Sequence, residues 1–115
     1  MIIIKGIVIK GQQLGRKMGF PTANIDAQEK RVENGVYRSM VRIDGKSYRA
    51  MTNVGLRPSV DGRTRLLEAH LFDFDGDLYG RRIQVELLEK IRDERKFASI
   101  EELRAQLEID AERCR

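Results

Sequence analysis

The 115-residue sequence predicts a mainly β domain, a small antiparallel barrel carrying one C-terminal helix. Three observations lead there. Runs of strand length, rich in β-branched and aromatic residues, occupy most of the chain. Asp-Gly dipeptides, favoured in tight hairpins, separate two pairs of these runs. Helical spacing begins only after Ser99.

"IIIKGIVIK" (Ile2 to Lys10) is the first strand. Gly11, Gly15 and Gly19 then place three glycines in nine residues. Their spacing, followed by Arg16-Lys17-Met18 after the second glycine, does not match a Walker loop. The backbone N–H groups could still close over phosphates with Arg16 as charge partner, and a mobile connecting loop fits equally well. In "GFPTAN" Pro21 fixes its own φ and pushes Phe20 into an extended conformation. An extended strand sends Thr22 and Asn24 to one face and the small Ala23 to the other, so two neighbouring oxygens could meet one partner. Simple strand termination or a turn also explains a Thr and an Asn.

"GVYRSMVRI" (Gly35 to Ile43) and "KSYRAMTNV" (Lys46 to Val54) flank Asp44-Gly45 and must be antiparallel neighbours. In "NVGLRPSV" (Asn53 to Val60) glycine and proline interrupt the strand end, which reads as the rim of a site or as a plain turn. "RLLEAHLFDF" (Arg65 to Phe74) turns Leu67, Ala69 and Leu71 one way and Glu68, His70 and Phe72 the other. A carboxylate on that second face is either solvent-exposed or a site residue. Asp75-Gly76 leads into "RIQVELLEKI" (Arg82 to Ile91). Ser99 and Glu102 form a capping box, after which Ile100, Leu103, Leu107 and Ala111 recur at helical spacing. Five or six such strands in one small domain bury their apolar faces best by curling into a closed or nearly closed barrel.

Residues 1–115 form a single domain, and 41% hydrophobic with 35% charged residues is a soluble globular composition. Lys5 and Gly6 cut the apolar opening short of a signal peptide or membrane span, so a cytoplasmic protein with no membrane partner is expected. One Cys and one His exclude an internal disulfide and the usual zinc site, while an oxygen-ligated Mg²⁺ stays open. Net charge +4 is a weak pointer to an anionic partner, because the basic residues are scattered among acids. Three Tyr, four Phe and no Trp supply few stacking platforms, which argues against an oligonucleotide-binding barrel and against nucleic acid as partner.

Together, "GIVIKGQQLGRKMGFPTANI", "NGVY", "TNVGLRPSV", "LLEAHLFDFDGDLYG" and "IRDERKFASIEELRAQLEIDAE" resemble the riboflavin kinase (flavokinase) family in order and spacing, over nearly the whole chain. The resemblance implies a six-stranded antiparallel closed barrel, riboflavin kinase-like, with a C-terminal helix. It implies conversion of riboflavin and ATP to FMN and ADP with Mg²⁺, or Mn²⁺ or Zn²⁺ in its place. Carried over by residue, Thr22 and Asn24 would hold the metal. Gly11, Gly15, Arg16, Gly19 and Pro21, with Thr22, Asn24, His70, Leu71, Asp73 and Tyr79, would hold ATP. Glu68 would be the catalytic group, and Arg92, Arg95 and Phe97 would hold the flavin. Gln12, Gln13 and Leu14 depart from the more glycine- and arginine-rich family flap, and Pro58-Ser59 replaces the more usual Pro-Thr. No adenylyltransferase pattern is present, so FMN but not FAD is expected, with an adenylyltransferase domain as the partner implied in a longer parent chain and a monomer otherwise. The alternative is a non-catalytic flavin or nucleotide sensor barrel, against which Thr22, Asn24 and Glu68 together argue, because a sensor has no need of a base.

Overall fold

A computed structural model describes residues 2–9, 22–26, 32–59, 62–74 and 78–115, apart from the side chains of residues 22, 26, 57–59 and 62–64. Among the described residues the elements are β1 (Ile2–Ile7), β2 (Thr22–Asp26), β3 (Gly35–Ile43), β4 (Lys46–Ser59), β5 (Gly62–Leu71), β6 (Arg82–Arg92) and α1 (Ile100–Cys114). The strands form one antiparallel sheet in the order β1-β6-β3-β4-β5-β2. Gly11 to Gly19, Pro21 and the Asp75-Gly76 turn lie outside the described residues.

The sheet curls because each strand has one apolar face. Ile4, Ile25, Val41, Val54, Leu67, Leu71 and Val85 meet inside it. Asp44 and Gly45 both take positive φ, 51° and 81°, as the two central residues of a type I′ hairpin require. That turn fixes the pairing of β3 with β4 from Ile43↔Lys46 to Gly35↔Val54. Inside the curl the Ser39 hydroxyl donates to Ala50 O at 3.0 Å, which leaves Thr52 to donate to Ser39 across 2.6 Å.

Closure falls short of the sequence expectation. Among the described residues, the sheet ends β1 and β2 are bridged at Ile9↔Asn24, where Ile9 N–H donates to Asn24 O at 2.7 Å. The result is a half-barrel with a seam rather than a closed barrel, because β1 stops at Ile7 and, among the described residues, no ladder pairs it with β2. A second difference is that β4 does not break at Gly55 or Pro58 but runs on to Ser59, paired with β5 throughout. Beyond Val54 its only strand partner among the described residues is β5, and a residue without an N–H is tolerated on a strand paired on one side. Strand β5 ends three residues earlier than Phe74, and Asp73 then turns the chain with φ 57°.

Ser99 caps α1, accepting from Glu102 N–H at 3.2 Å, while the Glu102 carboxylate reaches back to Ala98 N–H at 3.0 Å. Leu107, Ala111 and Cys114 pack on Val36, Met51 and Phe72, which lie on the outer face of β3, β4 and the end of β5. Ile100, at the start of the helical stripe, is exposed instead.

Two outcomes follow from this packing. Leu107→Ala should lower unfolding free energy by about 2–5 kcal/mol in urea titrations, since it empties the contact between helix and sheet. The Cys114 thiol, pushed up to about 11 by burial and then by the charge of Asp110, stays protonated in the fold at pH values where an exposed thiol ionises. Its folded-state value is the raised one, so its contribution is complete below the ordinary value of 9.0 and is lost as pH climbs toward 11. The urea midpoint should therefore drop more steeply between pH ~8 and ~10.5 in the wild type than in Cys114→Ala.

Candidate functional site

Strand β5 alternates as the sequence suggests. Leu67, Ala69 and Leu71 enter the interior, and Glu68, His70 and Phe72 take the outer face, where all three are buried. Glu68 is paired in register with Asn24 on β2 and with Asn53 on β4. Directly opposed residues on one face stand about 5 Å apart at Cβ, so a carboxylate is bracketed by two carboxamides. Glu68 is 7% exposed and Asn24 2%. Neither Asn24 Oδ1 nor Asn53 Oδ1 has a hydrogen-bond partner among the described residues. Each such buried acceptor costs about 1–3 kcal/mol until a donor or cation meets it.

The row continues beyond Asn53 to Val36 on β3 and Arg92 on β6. Arg92 places Nε and Nη2 on the fully buried Asp110 of α1 at 2.8–3.1 Å, and Gln106 Nε2 donates to the same carboxylate at 3.0 Å. The guanidinium also stands 5.7 Å from the Phe97 ring centroid, and that of Arg95 stands 5.0 Å from it. Arg92, Arg95 and Phe97 are thus gathered where β6 gives way to α1. Glu94, from the same segment, lays its carboxylate where a side chain on Gly55 would have to sit, which explains a glycine inside β4. Lys90 binds Asp93 at 2.7 Å and Glu33 at 2.8 Å. The Lys90 hydrogen bond holds the Asp93 carboxyl below its usual value.

The remaining expected residues fall as follows. Thr22 opens β2 in register with His70. Leu71 is buried in the interior, so only its backbone can face a ligand. Asp73 occupies the left-handed turn after β5, and Tyr79 is exposed beyond it. Arg16 and the glycines around it lie outside the described residues. Asn53 and Gly55 belong to the stretch that the sequence reads as the rim of a site or as a plain turn, and neither is given a role of its own there. Their signal was a polar residue and a glycine inside a strand-length run.

Asn24 suits a hard cation: a neutral buried oxygen, unpaired, on a rigid strand, able to share the ion with phosphate oxygens and water. No cluster of three or more His, Cys, Asp or Glu able to hold a metal occurs among the described residues.

A family model described as Flavokinase, riboflavin kinase, matches residues 1–115. The RNA-binding riboflavin kinase RibR of Bacillus subtilis (strain 168) is 45% identical over 111 residues, covering 96% of this chain and 48% of that protein. The bifunctional riboflavin kinase/FMN adenylyltransferase of Pseudomonas fluorescens is 45% identical over 97% of this chain and 37% of its own length. The chain spans about half or less of the length of these curated relatives. Among solved structures, a chain described as a macrolide-efflux protein from Streptococcus pneumoniae superposes with a TM-score of 0.80 at 39% identity, over 96% of this chain and 37% of that one. A riboflavin kinase from Trypanosoma brucei gives 0.65 at 24% identity over 97% and 76%, a likeness of fold alone.

Arg92 has a structural duty that a ligand-free measurement can isolate. Arg92→Ala strands Asp110 as a buried charge and should cost about 3–5 kcal/mol in urea unfolding, whereas Asp110→Asn, which leaves the more accessible Arg92 able to turn to water, should cost less.

Proposed function

The chain belongs to the flavokinase (riboflavin kinase) family, and from that premise we propose that it transfers the γ-phosphate of ATP to the ribityl 5′-hydroxyl of riboflavin, giving FMN and ADP. The observation that carries the proposal is the buried Glu68 carboxylate, held in register between two carboxamides whose oxygens lack partners. A base is of use where an alcohol must lose its proton as it attacks phosphorus. Glu68 orients the 5′-hydroxyl and accepts that proton as the new O–P bond forms and the bond to the ADP oxygen breaks.

Asn24, with Thr22 at the head of the same strand, binds the metal and the phosphates. Mg²⁺, or Mn²⁺ or Zn²⁺ in its place, supplies charge neutralisation on the polyphosphate when bound. His70 and the backbone at Leu71, followed by Asp73 and Tyr79, take the nucleotide, together with Pro21 and the Gly11 to Gly19 segment with its Arg16. Phe97 offers a face and Arg95 a planar cation to the isoalloxazine ring, while Arg92 fixes the segment that carries them.

In the same proposal the enzyme works in the cytoplasm as a monomer on small molecules, and adenylyl transfer to FMN is assigned to none of its residues. Of the described basic residues, Arg38, Arg42, Arg81, Lys90 and Arg92 are each paired with a carboxylate, which supports small-molecule substrates over an oligonucleotide groove. No helix among the described residues is long and apolar enough to cross a membrane.

Chromatography of FMN formed from riboflavin, ATP and Mg²⁺ tests the reading. Glu68→Gln should lose ~100-fold or more in kcat while retaining flavin binding. Folded wild-type protein that binds flavin yet forms no FMN would overturn the proposal in favour of a sensor. Asn24→Ala should instead raise the Mg²⁺ concentration needed for half-maximal rate about tenfold or more, with the KM for riboflavin little changed.

A further inference from the structure

Two oxygens, Asn24 Oδ1 and Asn53 Oδ1, are buried on either side of Glu68 without a hydrogen-bond partner among the described residues. The function above uses only the first. A carbonyl oxygen only accepts, so the second also awaits a donor or a cation.

One cation cannot serve both. Asn24 and Asn53 sit on β2 and β4 with β5 between them, two strand spacings or about 10 Å at the backbone. Oxygens on one Mg²⁺ at 2.0–2.1 Å stand at most about 4 Å apart, and the short Asn side chain closes little of the difference. Position separates them further. Asn24 lies on the strand that follows the glycine-rich stretch assigned to ATP. Asn53 lies on the opposite flank of Glu68, toward β3 and β6. Two residues along the same face of β4, Gly55 is covered by the Glu94 carboxylate, so the segment bearing Arg95 and Phe97 is fastened beside Asn53. A molecule whose aromatic end rests on Phe97 and whose terminal hydroxyl reaches Glu68 has its connecting chain next to Asn53.

We infer that Asn53 is a substrate-binding residue whose Oδ1 accepts a hydrogen bond from an internal hydroxyl of the substrate's polyol chain, beside the hydroxyl that reacts. The inference rests on the flavokinase reading for the identity of the substrate. It makes Asn53 the residue that tells a flavin bearing a polyol from the bare ring system, and it gives β4 a specificity role distinct from the proton-accepting role of β5.

The test compares equilibrium binding of riboflavin and of lumiflavin, the same ring without the polyol, by flavin fluorescence in the wild type, Asn53→Ala and Asn53→Leu. Riboflavin affinity should fall roughly tenfold in both variants while lumiflavin affinity changes less than about twofold. Urea midpoints of the ligand-free variants should not fall, because an unpaired buried acceptor is being removed, and Asn53→Leu supplies an apolar side chain of similar size should Asn53→Ala fold poorly. KM for ATP should be unaffected. An unchanged ratio of riboflavin to lumiflavin affinity overturns the inference, and so does an equal loss for both ligands. Lowered midpoints with that ratio intact would mark Asn53 as merely structural and overturn it as well. Failure of the wild type to form FMN defeats the functional reading instead, and the binding ratio still decides the role of Asn53.

Discussion

Strand β5 has to satisfy two environments at once. Its side chains alternate with a period of two, so every residue given to the interior fixes a neighbour on the outer face. Leu67, Ala69 and Leu71 are almost completely buried in the half-barrel, and this leaves Glu68 and His70 no place but the opposite side. A register slip of one residue against β2 or β4 would drive the carboxylate into the apolar interior. The hydrophobic effect that curls the sheet is therefore also what aims the site.

The outer face is shared between packing and chemistry. Helix α1 covers Val36, Met51 and Phe72, and the polar row from Asn24 to Asn53 runs beside that apolar patch. Arg92 joins the two parts, because its guanidinium holds Asp110 of the helix while standing beside Phe97. Fixing the helix and presenting the aromatic ring are in that sense one interaction. Glu94 on Gly55 adds a second fastening of the same segment.

Much of this was legible in the residues. The bounds of β3, the Asp44-Gly45 hairpin, the Ser99 cap and the outward face of Glu68 all follow from local rules of alternation, turn chemistry and capping. The features that escaped depend on partners distant in sequence. Gly55 and Pro58 read as strand breakers because their tolerance in β4 depends on which of its sides is paired, a property of the sheet. The seam could not be seen because closure depends on how two end strands meet rather than on what either contains. Asp110 lies 18 residues from Arg92 and reads as an ordinary helix carboxylate until the helix docks. Asn53 was hidden for a related reason, since a lone polar residue in a strand is commonplace and acquires meaning only opposite Glu68.

The hydroxyl pair of Ser39 and Thr52 bears on how the chain avoids folding wrongly. Both groups are essentially inaccessible to water, and the pair bridges two strands that the type I′ turn brings together early and locally. If the hairpin paired two residues out of step, the apolar faces would still match, but each hydroxyl would face hydrocarbon with nothing to bind. Mispaired hairpins would then be less stable than the native one by the cost of those unsatisfied groups. Two small polar side chains in an otherwise greasy interior thus favour one register of the hairpin over its shifted alternatives.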